Sequence, residues 1–454
     1  MRNVNLTEGK PIKVLWRFCL PLFGSVIFQQ LYNIADSFVA GRFISENALA
    51  SVSNSYEITL IFLAISTGIN IGCSVVVAHY FGAEEYGKLK TAVYTTFIMA
   101  AAICFLTMLL GLVFTSRLLQ LINTPKELMR DSSLYLDIYI WGVPFLMLYN
   151  ISSGIFNALG DSKTTFIFLS CSSTANIFMD IFFVVVLKMG VAGVAWATFI
   201  CQGISALLSL SVILVRLKSV KGDGRTTVFS LSMLRHILSV AVPSMLQQSF
   251  ISVGNIAVQS VVNSFGSTVM AGYGAAIKVH NTLMNGMKTF SDGITSFSAQ
   301  NLGAGKLSRI AEGWKCGLFL TLCIALPITV IVVIFPNLIL AVFLRQGSSM
   351  DVGRIFLRIV APFYCIISIK WNSDGVLRGT EHMGCFMTAT FTDLVLRVAL
   401  AFALSNTFLG STGIWLSWPL GWVIGTFISL FMMLRVFGKS GIRLSFKKAY
   451  GNSF

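Results

Sequence analysis

Long apolar runs recur along the whole chain and leave few architectures open. A run of about 20 apolar residues crosses the hydrocarbon of a bilayer as a helix. The sequence holds about twelve such runs, with approximate cores at 14–41, 52–80, 91–116, 132–158, 164–187, 191–215, 235–263, 269–298, 313–343, 355–377, 384–405 and 412–436. No water is available in lipid to satisfy the backbone, so runs of this kind dictate helices. The expected fold class is all-α integral membrane, with twelve transmembrane helices. Only 11% of the residues are charged, against roughly 25% in a soluble domain, which excludes a soluble globular protein.

The formal net charge of +15 would suggest a nucleic-acid partner in a soluble protein. Here the basic residues sit in the loops, and membrane topology explains them without nucleic acid. With the N-terminus inside, the inner segments hold 21 Lys and Arg against 8 on the other side. Positive residues stay cytoplasmic, so both termini are expected there, in a multi-pass protein of the plasma (inner) membrane surrounded by lipids. The start, MRNVNLTEGKPIKVLWRF, is basic and then apolar, but no small-residue cleavage site follows. It reads as a retained first helix. Nine scattered cysteines form no CxxC pair and read as small apolar residues. No metal site, cofactor, nucleophile motif or phosphate loop GxxxxGK[ST] is found, so neither an enzyme nor a built-in ATP-driven pump is expected.

The polar stretch 216–233 splits the spans six and six. This gives an N-terminal lobe at 1–215, a cytoplasmic linker at 216–233, a C-terminal lobe at 234–436 and a basic tail at 437–454. The halves resemble each other. Asn33-Ile34-Ala35, twelve residues past Pro21, recurs as Asn255-Ile256-Ala257, twelve past Pro243. Gly82-Ala83 recurs as Gly303-Ala304, Pro144-Phe145 as Pro362-Phe363, and Gly190/Gly193 as Gly410/Gly413. Several matches in order at nearly one shift indicate an internal duplication. Two six-helix copies share one orientation, so they are expected to form two pseudo-symmetric lobes around a cavity.

Within the spans, ionisable groups are expensive and mark function unless they are paired. Asp36 shares a helix face with Gln29 and Asn33, by the spacings of four and three. Ser172, Asn176 and Asp180 share a face of the fifth span. The fourth offers Asn150 and Asn157, and the sixth Thr198 and Gln202. Carboxylates surrounded by amide and hydroxyl oxygens can hold Na⁺, or can take and release protons, and the residues leave that choice open. A structural reading, in which these groups only tie helices together, suits a single Asn better than it suits the two acids. The second half is no chemical copy, because Val258 stands where Asp36 would recur. Its seventh span has Gln248 and Asn255, and its eighth a stripe of Lys278, Asn281, Asn285, Lys288 and Asp292. Lys288/Asp292, Lys370/Asp374 and Asp393/Arg397 are each spaced to pair within a helix. Pro21 and Pro243 lie inside helices and are expected to bend them. His280 is the one histidine inside a span that invites a test, with packing the plainer role.

At this point PLFGSVIFQQLYNIADSFVAG, HYFGAEEYGKLK, NALGDSK and its echo VLRGTEH carry a resemblance. The chain resembles the multidrug and toxic compound extrusion (MATE) family over almost its whole length, and within it the prokaryotic DinF-type branch. That resemblance implies two lobes in a V around a central cavity and cation-driven antiport of organic, often cationic, compounds. It places the cation site at Asp36, Asn176, Asp180 and Thr198 and makes Pro21 the bending proline; Asn157 of the fourth span is a further cation-coupling candidate from its polarity alone. The branch with a Glu in its seventh span is not matched. The chain is therefore expected to be a monomeric antiporter that exports drug-like amphipaths in exchange for H⁺ or Na⁺ by alternating access. Its substrate-cavity candidates are Gln29, Asn33, Gln202, Gln248, Asn255, Asn281, Asn285 and Lys288. The alternative is a flippase or exporter of one lipid-linked or metabolite substrate in the wider superfamily.

Overall fold

The computed structural model describes residues 4–122, 124–219 and 226–439. The centre of the expected linker and most of the basic tail lie outside these residues. The described chain is helical from end to end, in the order α1 (Pro11–Val39), α2 (Glu46–Gly82), α3 (Tyr86–Leu121), α4 (Lys126–Ala158), α5 (Ser162–Ile181), α6 (Val191–Ser219) and α7 (Leu231–Asn263). Then follow α8 (Ser267–Gly303), α9 (Leu307–Ile334), α10 (Pro336–Leu340), α11 (Ser348–Val360), α12 (Tyr364–Gly379), α13 (Met383–Ser405) and α14 (Ser411–Lys439).

Eleven spans are long and apolar enough to cross a membrane, with α11 and α12 forming one of them at Ser348–Gly379. The twelfth is α8, which is 37 residues long and falls short only in hydropathy, because its polar stripe dilutes the apolar content. Two expected boundaries shift for one reason. The ninth run stops at Ile334 rather than near 343, because Pro336 cannot continue a helix and starts α10 instead. The tenth is broken at Ala361–Phe363 by Pro362. Two further departures carry no proline. Both α1 and α5 end in a single π turn, Ala40–Ile44 and Phe182–Val186. Capping fixes the starts that follow turns: Ser45 accepts from Ala48 N at 3.0 Å, and Asp161 accepts from Thr164 N at 3.2 Å.

The helices form two compact units. One holds Leu20–Met245 with the first residues of the chain, and the other holds Leu6–Cys19 with Leu246 onward. The chain thus changes unit inside α1 and inside α7, next to Pro21 and Pro243. In the first unit α4 packs against α2, α3, α5 and α6. In the second, α8 packs against α9, α11 and α12, and α12 against α13 and α14.

Each unit accepts half a helix by the same contact. A Cβ on Gly72 of α2 would stand 2.6 Å from Ala241 Cβ of α7. A Cβ on Gly293 of α8 would stand 2.3 Å from Cys19 Sγ of α1. Only glycine lets the backbones approach this closely, as is usual where helices pack in lipid. The contacts are related by the shift that relates the sequence repeats. The segment before α1 is also tied down in the second unit. The Arg309 guanidinium donates to Leu6 O, Glu8 O and Gly9 O, and Lys306 Nζ to Thr7 O. In the first unit, Thr227 N and Ser230 N before α7 donate to Thr91 Oγ1 and Thr95 Oγ1.

Candidate functional site

The second half of α1 sets Gln29, Tyr32 and Asp36 on successive turns against α5 and α6 in the first unit. Asp36, Asn176, Asp180 and Thr198 are 6%, 3%, 0% and 9% exposed, so four polar side chains from three helices converge away from solvent. The Asn176 amide, oriented so that both its ends are satisfied, donates to Asp36 Oδ1 at 3.0 Å and accepts from Thr198 N at 3.2 Å. The Tyr32 hydroxyl lies beside both Asp36 and Thr198. The Asp36 and Asp180 carboxyls lie within hydrogen-bonding reach of each other. Ser172 Oγ donates to Cys201 O at 3.2 Å and fixes α5 against α6.

Beside this cluster is a cavity of about 90 Å³. Its lining includes Gln29, Tyr32, Tyr149, Asn150, Asn176 and Gln202. It has room for ions and a few waters but falls far short of the roughly 300 Å³ that a drug-sized ligand needs. In this lining Tyr149 OH and Ser205 Oγ are buried with no partner among the described residues, as is Asp180 Oδ1 outside it. Buried polar atoms are normally hydrogen-bonded, so this lining suits a hydrated or cation-bearing pocket. Two carboxyl groups this close repel when both are charged. A shared proton, or a cation between them, would relieve that repulsion.

Not every expected residue is part of this arrangement. Asn157 accepts from Thr165 Oγ1 at 3.1 Å near the start of α5. Asn176 lies eleven residues further along that helix, roughly 16 Å at 1.5 Å per residue, so Asn157 is not at the carboxyl pair. Asn33 is half-buried and donates to Gln30 Oε1 at 3.4 Å. Two contributors gave weak sequence signals. Tyr32 is an ordinary aromatic in an apolar run until Asp36 is placed beside it. The π turns begin four residues after Asp36 and two after Asp180, and such turns often mark functional sites.

The second unit handles its charges differently. Lys370 pairs with Asp374 at 2.8 Å as the spacing suggested, but also with Asp393 at 3.8 Å across to α13. Ser429 Oγ donates to Asp374 Oδ1. The other two expected pairs within helices do not form. Asp292 instead holds Arg378 of α12 at 3.0 Å. Arg397 donates to Asn255 Oδ1 at 3.1 Å and lies 4.4 Å over the Trp418 ring. In each case a partner on a neighbouring helix is better placed than one a turn away. His280 is 2% exposed, bonds the Tyr364 hydroxyl at 3.1 Å and stacks on Trp422, so it is a packed core residue. Val258, the counterpart of Asp36, is buried in an apolar cluster.

A duplicated all-α membrane fold, with a small polar cavity and a buried carboxyl pair in one repeat, defines a membrane transporter. The repeats are also what the comparison with known families detects. The MatE model matches residues 21–182 and again 243–403. The chain belongs to this family, the multidrug and toxic compound extrusion transporters.

Among its relatives are the probable multidrug resistance protein YoeA of Bacillus subtilis, 26% identical with 92% of this chain and 93% of that protein covered, and the probable multidrug resistance protein NorM of Thermotoga maritima, 22% identical with 89% and 88% covered. Among solved structures, a MOP superfamily transporter from Pyrococcus furiosus superposes with a TM-score of 0.88 at 20% identity, covering 96% of this chain and 98% of that one. At that identity the superposition speaks for the fold.

Proposed function

We propose that this chain is a secondary antiporter of the plasma (inner) membrane, with both termini in the cytoplasm. It exports amphipathic, drug-like organic compounds in exchange for H⁺ or Na⁺ by alternating access. The relatives' names support drug export. The observation that carries the coupling is the buried pair Asp36/Asp180, bridged to α5 and α6 through Asn176 and Thr198 and closed by Tyr32. A proton shared by the pair, or Na⁺ among its oxygens, relieves the repulsion of the two acids and draws α1, α5 and α6 together. Loss of the cation frees α1 to move about Pro21. Coupling requires that the cation bind the two conformations with different affinity, and a site assembled from three helices with a proline beside the unit boundary provides that difference.

Purified protein in liposomes, loaded with a fluorescent organic dye and given a pH or Na⁺ gradient separately, tests this reading. One gradient should drive efflux in the wild type and fail to do so in Asp36→Asn. Full gradient-driven efflux in that variant would exclude Asp36 as the coupling group.

A further inference from the structure

Five polar residues, Lys278, Asn281, Asn285, Lys288 and Asp292, follow one another at spacings of three and four along α8. They form one stripe, and four of them are exposed while Lys288 is half-buried. A polar stripe on a spanning helix faces water or protein and not lipid. Lys288 is 21 residues into a 37-residue helix, which puts it roughly 30 Å from one end and 22 Å from the other at 1.5 Å per residue. A 37-residue helix is longer than the roughly 30 Å of hydrocarbon, and Lys288 lies three residues from its midpoint, deep within the span. An ammonium in such a place is costly unless something neutralises it.

No group does so fully: the one acid whose charge acts on Lys288, Asp292, forms no ion pair with it. Among the described residues Lys288 makes no hydrogen bond or ion pair. Its neighbour on the stripe, Asp292, is committed to Arg378. Asp374 and Asp393 are committed to Lys370, and Asp351 to Arg354. Of the helices packed against α8, α9 carries one acid, Glu312, near its start, and α11 and α12 carry Asp351 and Asp374. The exposed face of α8 therefore carries two lysines, with two amides between them, against one acid that Arg378 already holds.

We propose that Lys288, with Asn285 and Asn281 beside it, binds the oxyanion group (carboxylate, sulfonate or phosphate) of the exported compound. The substrate class is then amphipathic anions and zwitterions, and simple organic cations are poor substrates. This rests on the antiport reading and specifies its cargo. The lysine is the point charge and the amides donate to further oxygens of the same group.

A matched pair of dyes tests it. Sulforhodamine and the cationic rhodamine ethyl ester share a ring system and differ in charge. Equilibrium binding by fluorescence anisotropy is measured on the full chain in lipid nanodiscs, and gradient-driven export in liposomes. Sulforhodamine should bind the wild type more tightly than the ester does. A charge-assisted contact of this kind is worth about tenfold to a hundredfold in affinity. Lys288→Gln should weaken sulforhodamine by that factor and leave the ester unchanged, Lys288→Arg should restore most of it, and Lys288→Glu should reverse the preference. The residue is half-buried and makes no hydrogen bond or ion pair, so these variants are expected to fold.

Failure of the wild type to bind sulforhodamine, or equal affinities for both dyes in all four proteins, overturns the anion assignment. Gradient-driven export of the ester would then keep the antiport reading intact. Conversely, Lys288-dependent binding of sulforhodamine with no export under either gradient supports the anion site and sinks the antiport reading.

Discussion

Asp36→Asn keeps the shape of the side chain and removes its charge, so it separates coupling from structure. In the wild type Asp36 accepts from Asn176 at 3.0 Å, lies beside the Tyr32 hydroxyl and faces Asp180. A hydrogen bond to a charged group contributes about 1.5–3 kcal/mol, against about 0.5–1.5 kcal/mol for a neutral one. Losing one charged ligand of the cation therefore costs on the order of 1.5–3 kcal/mol, or roughly 10- to 150-fold in cation affinity.

Asp180→Asn should cost a similar amount. The double variant should cost much less than the sum of the singles, with an interaction energy of about 0.5–3 kcal/mol, because either substitution already dismantles the shared site. The assay is gradient-driven efflux from liposomes across a range of H⁺ and Na⁺ concentrations, with thermal unfolding of each variant in the same detergent. Unfolding should stay within about 1 kcal/mol of wild type, since an amide buried in place of an acid carries no charge to bury. Strictly additive effects on cation affinity would refute the shared site. A large loss of stability with cation dependence intact would make Asp36 a structural residue.

Other perturbations test the frame around the site. Gly293→Ala puts a Cβ within 2.3 Å of Cys19 Sγ; it should destabilise by about 1–3 kcal/mol in thermal unfolding, and Cys19→Ala should recover part of that loss. Lys370→Met leaves Asp374 and Asp393 buried without their cation. It should destabilise by about 3–5 kcal/mol, and the double variant Lys370→Met/Asp374→Leu should be milder than Lys370→Met alone. Arg309→Ala releases the carbonyls of Leu6, Glu8 and Gly9; amide exchange and proteolysis near residues 6–14 should speed up several-fold, while exchange in α4 stays unchanged.

The internal period of the chain and its few intramembrane acids are properties of sequence alone. Apolar runs in lipid have only the helix to adopt, so the spans, their number and the repeat at a shift near 220 are legible in the order of residues by itself. So is the shared face of Asn176 and Asp180, because a four-residue spacing fixes direction within one helix. What spacing cannot express is which neighbour a side chain meets on another helix. Asp292, Asp393 and Arg397 each had a candidate partner one turn away and took one across a helix contact. Asn157, for all its polarity, sits at the far end of α5 from Asp180. Tyr32 became part of the acid cluster only when α1 met α6. The passage of α1 and α7 from one unit to the other was equally invisible, because it depends on where Gly72 and Gly293 let a helix approach. Periodicity is a one-dimensional property and survives in the sequence, whereas contact between helices is decided by packing in three dimensions.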